Sequence, residues 1–218
     1  TMAGIKNDAS AFILLRLIPR KNDYIKQVAY IETMEGGHTQ TQAMNINRLF
    51  YELECDYIVL DRQNAGIGVY DALVLPLYDP ERQVTYEPLC SLNDEEMIKR
   101  CPYNDAKKVI YTIAASESFN DKIARELKDE LIRHRIELLG DSETAQTYFD
   151  SFPEYYKLDA EVKNTLKAPY SETESLILEM VQLEITFGNT SQSYLRLKTT
   201  GRNRKDRYTA LAYGNYIA

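Results

Sequence analysis

Three aspartates stand where a carboxylate can do chemistry. Asp61 closes the apolar run in "YIVLDRQNAGIGVYDAL" (residues 57–73), Asp206 lies in "LKTTGRNRKDRYTALAYGNY" (197–216), and Asp8 lies in "GIKNDASAF" (4–12). Carboxylates are hard oxygen ligands for divalent cations. Two such cations about 3.5–4 Å apart, bridged by acids, activate water and stabilise the leaving oxygen in phosphodiester cleavage. Each acid also has a plainer reading. Asp61 sits at the carboxyl end of an expected buried strand, where an open α/β sheet presents side chains to a ligand crevice, and it equally fits a turn or cap. Between Arg196 and Arg207 there are six cations (Arg196, Lys198, Arg202, Arg204, Lys205, Arg207) and one acid, Asp206, in an otherwise acidic chain. Lysines and arginines that hold phosphates beside an acid that holds a cation suit backbone chemistry on nucleic acid. The same stretch also reads as a basic loop balancing acidic helices, with Asp206 as an N-cap. Asn7-Asp8 is good turn chemistry by itself.

Other chemistries find no support in the sequence. Gly66-Ile67-Gly68 is followed by Val69, Tyr70 and Asp71, so neither the third glycine of a dinucleotide loop nor the Gly-Lys-Ser/Thr of a P-loop is present. The glycines instead let the chain turn from strand into helix. Cys55, Cys90 and Cys101 are odd in number and lack a paired Cys-x-x-Cys, so reduced thiols are expected. His38 in a "GGH" loop and His134 near a helix end are expected in solvent, and no local motif marks a serine or cysteine nucleophile.

The elements that must position these acids follow from periodicity. "SAFILLRLIP" and "DYIKQVAYIETM" flank "RKN" as an antiparallel hairpin. Residues 39–54 place Ala43, Ile46, Leu49, Phe50 and Leu53 on one helical face. "DYIVLD" is a strand, "GVYDALV" a short helix, "YDPERQVTYEP" a Pro-bounded loop and "KKVIYTIAA" a buried strand. "SESFNDKIARELKDELIRHR" is a helix with a serine cap and Phe119, Ile123, Leu127 and Leu131 on one face. "IELL" reads as a short edge strand, and residues 142–182 as acidic helices interrupted by Pro153 and Pro169. "LEITF…SYLRLKT" is a late hairpin, and a last helix starts near Asp206. Tyr148, Tyr155, Tyr156 and Tyr170 read as core or half-buried residues, or as an interface. The order predicts an α/β fold, a mixed central sheet flanked by helices. The 218 residues, 44% hydrophobic and 27% charged, suit one domain over 1–218. The formal net charge of −7 excludes a global positive field, so any DNA contact must be local. The longest apolar run, "AFILL", falls far short of the ~20 residues of a bilayer span, and no signal peptide is read. Thr1 suggests a chain that opens inside a folded unit.

With these motifs in order, "KNDASAFILLRLIP", "DYIVLDRQNAGIGVYDAL", "YDPERQVTYEPL" and "RKDRYTALAYGNY", the chain resembles the nuclease domain of the large terminase subunit of tailed bacteriophages over nearly its whole length. The family pattern matches Asp61, Gly66, Gly68, Asp71 and Leu73, and its closing pattern Lys205, Asp206, Arg207, Ala210 and Leu211. The resemblance implies an RNase H-like fold. It further implies Mg²⁺- or Mn²⁺-dependent, largely sequence-independent cleavage of concatemeric viral double-stranded DNA during packaging. Asp61 and Asp206 would be catalytic metal ligands, with Asp8 as an auxiliary acid. Arg202, Arg204, Lys205 and Arg207 would hold the DNA backbone. Implied partners are an ATPase domain of the same large subunit, the small terminase subunit and the portal protein, in the host cell cytoplasm. The sequence departs from the family in two ways. The principal aspartate that the family carries on a strand before a segment like "AGIKND" lies outside a chain opening at Thr1, and no Walker A motif occurs. The competing class is a non-catalytic docking module that contacts the capsid portal through its acidic helices.

Overall fold

The computed structural model describes residues 9–63, 65–187, 195–199 and 205–218. Asp8, Arg202 and Arg204 therefore lie outside the described residues. The chain alternates strands and helices. It opens with β1 (Ala9–Pro19), β2 (Tyr24–Glu35), α1 (Thr39–Glu52), β3 (Ile58–Asp61) and α2 (Ala65–Leu73). Then come β4 (Leu77–Asp79), β5 (Val84–Tyr86), β6 (Leu89–Ser91), α3 (Glu95–Ile98), β7 (Lys107–Ile113) and α4 (Glu117–Ile132). The remainder is β8 (Ile136–Glu137), α5 (Ser142–Asp150), a 3-10 turn (Pro153–Lys157), α6 (Ala160–Val181), β9 (Leu183–Phe187), β10 (Leu195–Thr199) and α7 (Asp206–Ile217). The expected α/β class holds, and the expected elements occur in the expected order, with β4, β5, β6 and α3 added between α2 and β7. Two compact units are distinguished, one of Thr1–Glu35, Glu117–Tyr216 and Ala218, the other of Gly36–Ser116 and Ile217.

In the first unit, β1 and β2 form the expected antiparallel hairpin, and β8 joins β2 in parallel at the sheet edge. The register slips between Leu14 and Leu15, which leaves Ala29 as an extra residue. Such a bulge breaks strict alternation, and Ile25, Val28 and Ile31 are all buried. Helix α4 buries Ile123, Ala124 and Leu127, and its Phe119 ring meets Tyr213 and Tyr216 of α7 edge to face at 6.0 and 5.0 Å. α7 crosses β1 closely enough that a Cβ on Gly214 would lie 2.9 Å from Leu15 Cδ1. Lys26 Nζ donates to both the carbonyl and the side-chain oxygen of Asn215 at 2.9 Å, placing an ammonium at the carboxyl end of α7, where the helix dipole favours a cation. β9 and β10 pair antiparallel as expected.

One expectation for the 142–182 region fails. Pro169 does not interrupt a helix; it lies inside the 22-residue α6. Its missing N–H costs one backbone bond, and tertiary packing of Thr173, Leu176 and Glu179 carries the helix through. The tyrosines divide: Tyr155 is buried and Tyr170 half-buried, while Tyr148 and Tyr156 are exposed.

The second unit holds the parallel sheet β3-β7-β6, covered by α1 and α2. Its core gathers Ala43, Phe50, Val69, Tyr70, Leu73 and Ile110 with their neighbours. Ile46 packs against this core, but Leu53 caps the end of α1 and is exposed, contrary to the helical-face expectation. The "YDPERQVTYEP" stretch is not a plain loop. It forms the antiparallel pair β4-β5 around a turn organised by Asp79, whose Oδ1 accepts the N–H groups of Glu81 and Arg82. Asp79 is fully buried and is gripped by Arg48 at 2.6 and 2.8 Å.

Candidate functional site

Parallel pairing places Ile58 of β3 opposite Ile110 of β7 and Asp61 opposite Ile113, so Asp61 ends its strand at the carboxyl edge of the sheet. The ladder continues one step further: Arg62 donates its N–H to Ile113 O at 2.9 Å. The chain then reverses over Gln63. Its N–H donates to Asp61 Oδ1 at 2.9 Å, and its side-chain amide donates to Ala115 O at 2.9 Å. The turn is thereby tied to both strand ends.

Gly66 has the turning role the sequence suggests, while Gly68 serves helix packing. A Cβ on Gly66 would stand 1.7 Å from the Asp61 carbonyl oxygen, so only glycine lets α2 begin directly on the end of β3. On Gly68 it would stand 2.9 Å from Thr39 Cγ2, which sets the close approach of α1 and α2. Gly66 is occupied by the chain's own carbonyl and cradles no phosphate.

Asp61 is half-buried, and burial pushes its carboxyl above the ordinary aspartate range, opposed by the Gln63 N–H. No cation pairs with it among the described residues. The neighbouring Arg62 faces other acids: its guanidinium meets Asp94 at 3.1 Å and Glu96 at 2.8 Å. Asp94 also caps α3, accepting from the N–H groups of Glu96 and Met97. Beside it, Asn93 is laced to the end of β7, donating to Thr112 O at 3.0 Å and accepting from Thr112 N at 2.9 Å. Sequence reasoning missed this polar rim of Arg62, Asn93 and Asp94. The available signal was "SLNDEEM", an Asx-type cap directly after a short apolar run. Asp71, the other acid of the opening motif, is engaged at the surface by Arg100 at 2.8 Å.

Asp206 belongs to the other unit. Asp206 is the first residue of α7 and half-buried; the N-cap position falls to Lys205, whose side chain makes no capping bond. The capping reading of Asp206 therefore does not hold. The helix start is instead capped from α6, where Glu179 Oε2 accepts the Tyr208 N–H at 3.0 Å. Arg207 points into the same contact, with Nε 2.6 Å from Glu172 Oε2 and Nη1 2.6 Å from Glu179 Oε1. Glu172 in turn accepts from Thr33 Oγ1 of β2 at 2.6 Å. This network ties α7, α6 and β2 together, so Arg207 has a structural employment that the basic run did not announce. Lys205 is exposed at the helix start.

A hard divalent cation needs several oxygen ligands. Asp61 suits one of them, being half-buried and unpaired with any cation among the described residues. Among those residues, however, no group of three or more His, Cys, Asp and Glu is placed to hold a metal. The three cysteines are free thiols, and His38 and His134 are exposed, as expected. No helix among the described residues is long and apolar enough to cross a membrane.

Fold and site together define a mixed α/β protein whose parallel sheet presents a desolvated carboxylate at its carboxyl edge. Among solved structures, the chain is similar to the crystal structure of the large terminase nuclease from thermophilic phage G20c. The match covers 97% of this chain and 76% of that chain, at 13% identity and a TM-score of 0.47. No family model matches the sequence, and no curated protein matches it.

Proposed function

We propose that this chain is a divalent-metal-dependent DNA endonuclease domain that cuts concatemeric viral double-stranded DNA during genome packaging. The observation that carries the reading is Asp61: a half-buried carboxylate at the end of a parallel strand, held by one backbone N–H and paired with no cation among the described residues. A polar edge of this kind is where open α/β sheets place their ligands. The ordered sequence motifs around Asp61 and Asp206 give the second support.

In this reading Asp61 and Asp206, each in its own unit, are proposed as oxygen ligands, with Asp8, outside the described residues, as a further acid. Mg²⁺ or Mn²⁺ held by such acids would supply the Lewis acidity that phosphodiester hydrolysis needs. Gln63 orients the Asp61 carboxylate through its N–H, and the Ala115 anchor fixes the turn. Lys205, with Arg202 and Arg204 of the same basic run, is proposed to hold backbone phosphates. Arg207 contributes by holding the start of α7 in place. The net charge of −7 makes DNA binding weak and steeply salt-dependent. The ATPase domain of a large subunit, the small terminase subunit and the portal are the proposed partners, in the host cytoplasm.

The test is nicking of supercoiled plasmid in Mn²⁺, with Asp61→Asn and Asp206→Asn alongside. Cleavage by the wild-type chain, lost in each variant with unfolding unchanged or shifted upward, supports the assignment. Equal cleavage by either variant removes that residue from the site. An inactive wild-type chain favours the non-catalytic docking reading.

A further inference from the structure

Six aromatic rings run continuously through the α5–α6 region. Phe152 meets Tyr148 at 5.0 Å, Tyr148 meets Phe149 at 5.7 Å, and Phe149 stacks on buried Tyr155 at 5.1 Å. Tyr155 continues to Tyr156 at 6.0 Å, and Phe149 to Tyr170 at 5.9 Å. The centre of the run holds α5 against α6, but its rim does not. Tyr148 is 57% exposed, Phe152 43% and Tyr156 60%. Rings at the centre already take cations: Lys163 and Lys167 sit 5.5 and 5.9 Å from the Tyr155 centroid. The three rim rings carry no such cation among the described residues.

The rim lies in an acidic stretch of the chain, beside Lys163, whose Nζ donates to the Tyr156 carbonyl at 3.1 Å. Between residues 141 and 161 six acids (Asp141, Glu143, Asp150, Glu154, Asp159, Glu161) face one cation, Lys157, and all seven are exposed. Glu143, Glu154 and Glu161 pair with no cation among the described residues. The Tyr156 hydroxyl is hydrogen-bonded to Asp150, and an aromatic face beside a carboxylate suits a guanidinium, which stacks on a ring while donating to an acid. Exposed tyrosines of this kind are typical anchors of protein interfaces.

We infer that Tyr148, Phe152 and Tyr156 form a docking surface for an arginine-rich segment of a partner protein. The surface is independent of the nuclease reading and stands or falls apart from it.

The test uses the full chain and a synthetic twelve-residue peptide of alternating arginine and glycine, with a lysine-glycine peptide as control, by fluorescence anisotropy at low salt. The arginine peptide is expected to bind, and the lysine peptide at least about threefold more weakly. Tyr148→Ser/Phe152→Ser/Tyr156→Ser should lose about tenfold or more with an unchanged circular dichroism spectrum. Glu143→Gln/Glu154→Gln, which leaves the rings intact, should weaken binding and flatten its salt dependence. No binding by the wild-type chain, or equal binding by both multiple variants, overturns the proposal. Concentration-dependent self-association that the serine variant abolishes also overturns it, in favour of a second copy as the occupant.

Discussion

Replacing Arg207 by methionine separates structural from nucleic-acid employment of the basic run. In the folded chain its guanidinium is 16% exposed and contacts Glu179, 8% exposed, and Glu172, 25% exposed, each at 2.6 Å. Methionine keeps much of the side-chain volume but removes both charge-assisted bonds. Two carboxylates that shared one cation then face each other. Among the described residues, Glu179 retains the Tyr208 N–H and Glu172 the Thr33 hydroxyl. Removing one partner of a buried pair costs about 3–5 kcal/mol. The partial exposure of Glu172 brings the expected loss here to about 2–4 kcal/mol. For a chain of this size that lowers the melting temperature by about 5–15 °C. The assay is thermal unfolding by circular dichroism, with Arg207→Lys as an intermediate case and Arg207→Met/Glu179→Gln as a partial rescue. A methionine variant that melts within about 1 °C of wild type refutes the reasoning. If that same variant also lowered the salt slope of DNA binding by about one, Arg207 would be a phosphate contact.

Three further outcomes are expected. Gly66→Ala should sharply reduce soluble yield and melting temperature, because its Cβ meets a backbone carbonyl at 1.7 Å; Gly68→Ala should cost less, since it meets only the Thr39 methyl. Comparing the two variants by yield and unfolding checks this, and equal losses would contradict it. Asp61→Asn should raise the melting temperature at pH 7 by about 1–4 °C. Burial raises the folded carboxyl pKa, so the charged side chain carries a penalty above that value that fades as pH falls toward the unfolded value. The advantage of the variant should therefore shrink between pH 7 and pH 4, and a constant or growing advantage would count against it. Burial also pushes the Tyr30 and Tyr208 hydroxyls up to about 12. Unfolded tyrosines release their protons first, so stability should fall as pH rises from 10 to 12, and Tyr208→Phe should lessen the fall; absorbance at alkaline pH and denaturant unfolding read both.

Local pattern determined much of this protein. The first hairpin, α1, α4, the late hairpin and the start of α7 were legible because apolar periodicity and turn residues act over a few neighbours. Asp61 was legible as a strand-end acid, and Gly66 as a turn into a helix, for the same reason. Only the tertiary structure decided what depends on residues far apart in the chain. Pro169 argued for a break, yet α6 runs through it, because burial of Leu176 and Glu179 outweighs one missing backbone bond. A Pro-bounded loop became β4-β5 because Arg48, 31 positions before Asp79, locks the turn. Arg207 looked like one cation in a basic run, but it reaches Glu179 and Glu172, 28 and 35 positions earlier. The partners of a charge are set by packing between elements, and no spacing along the chain encodes them.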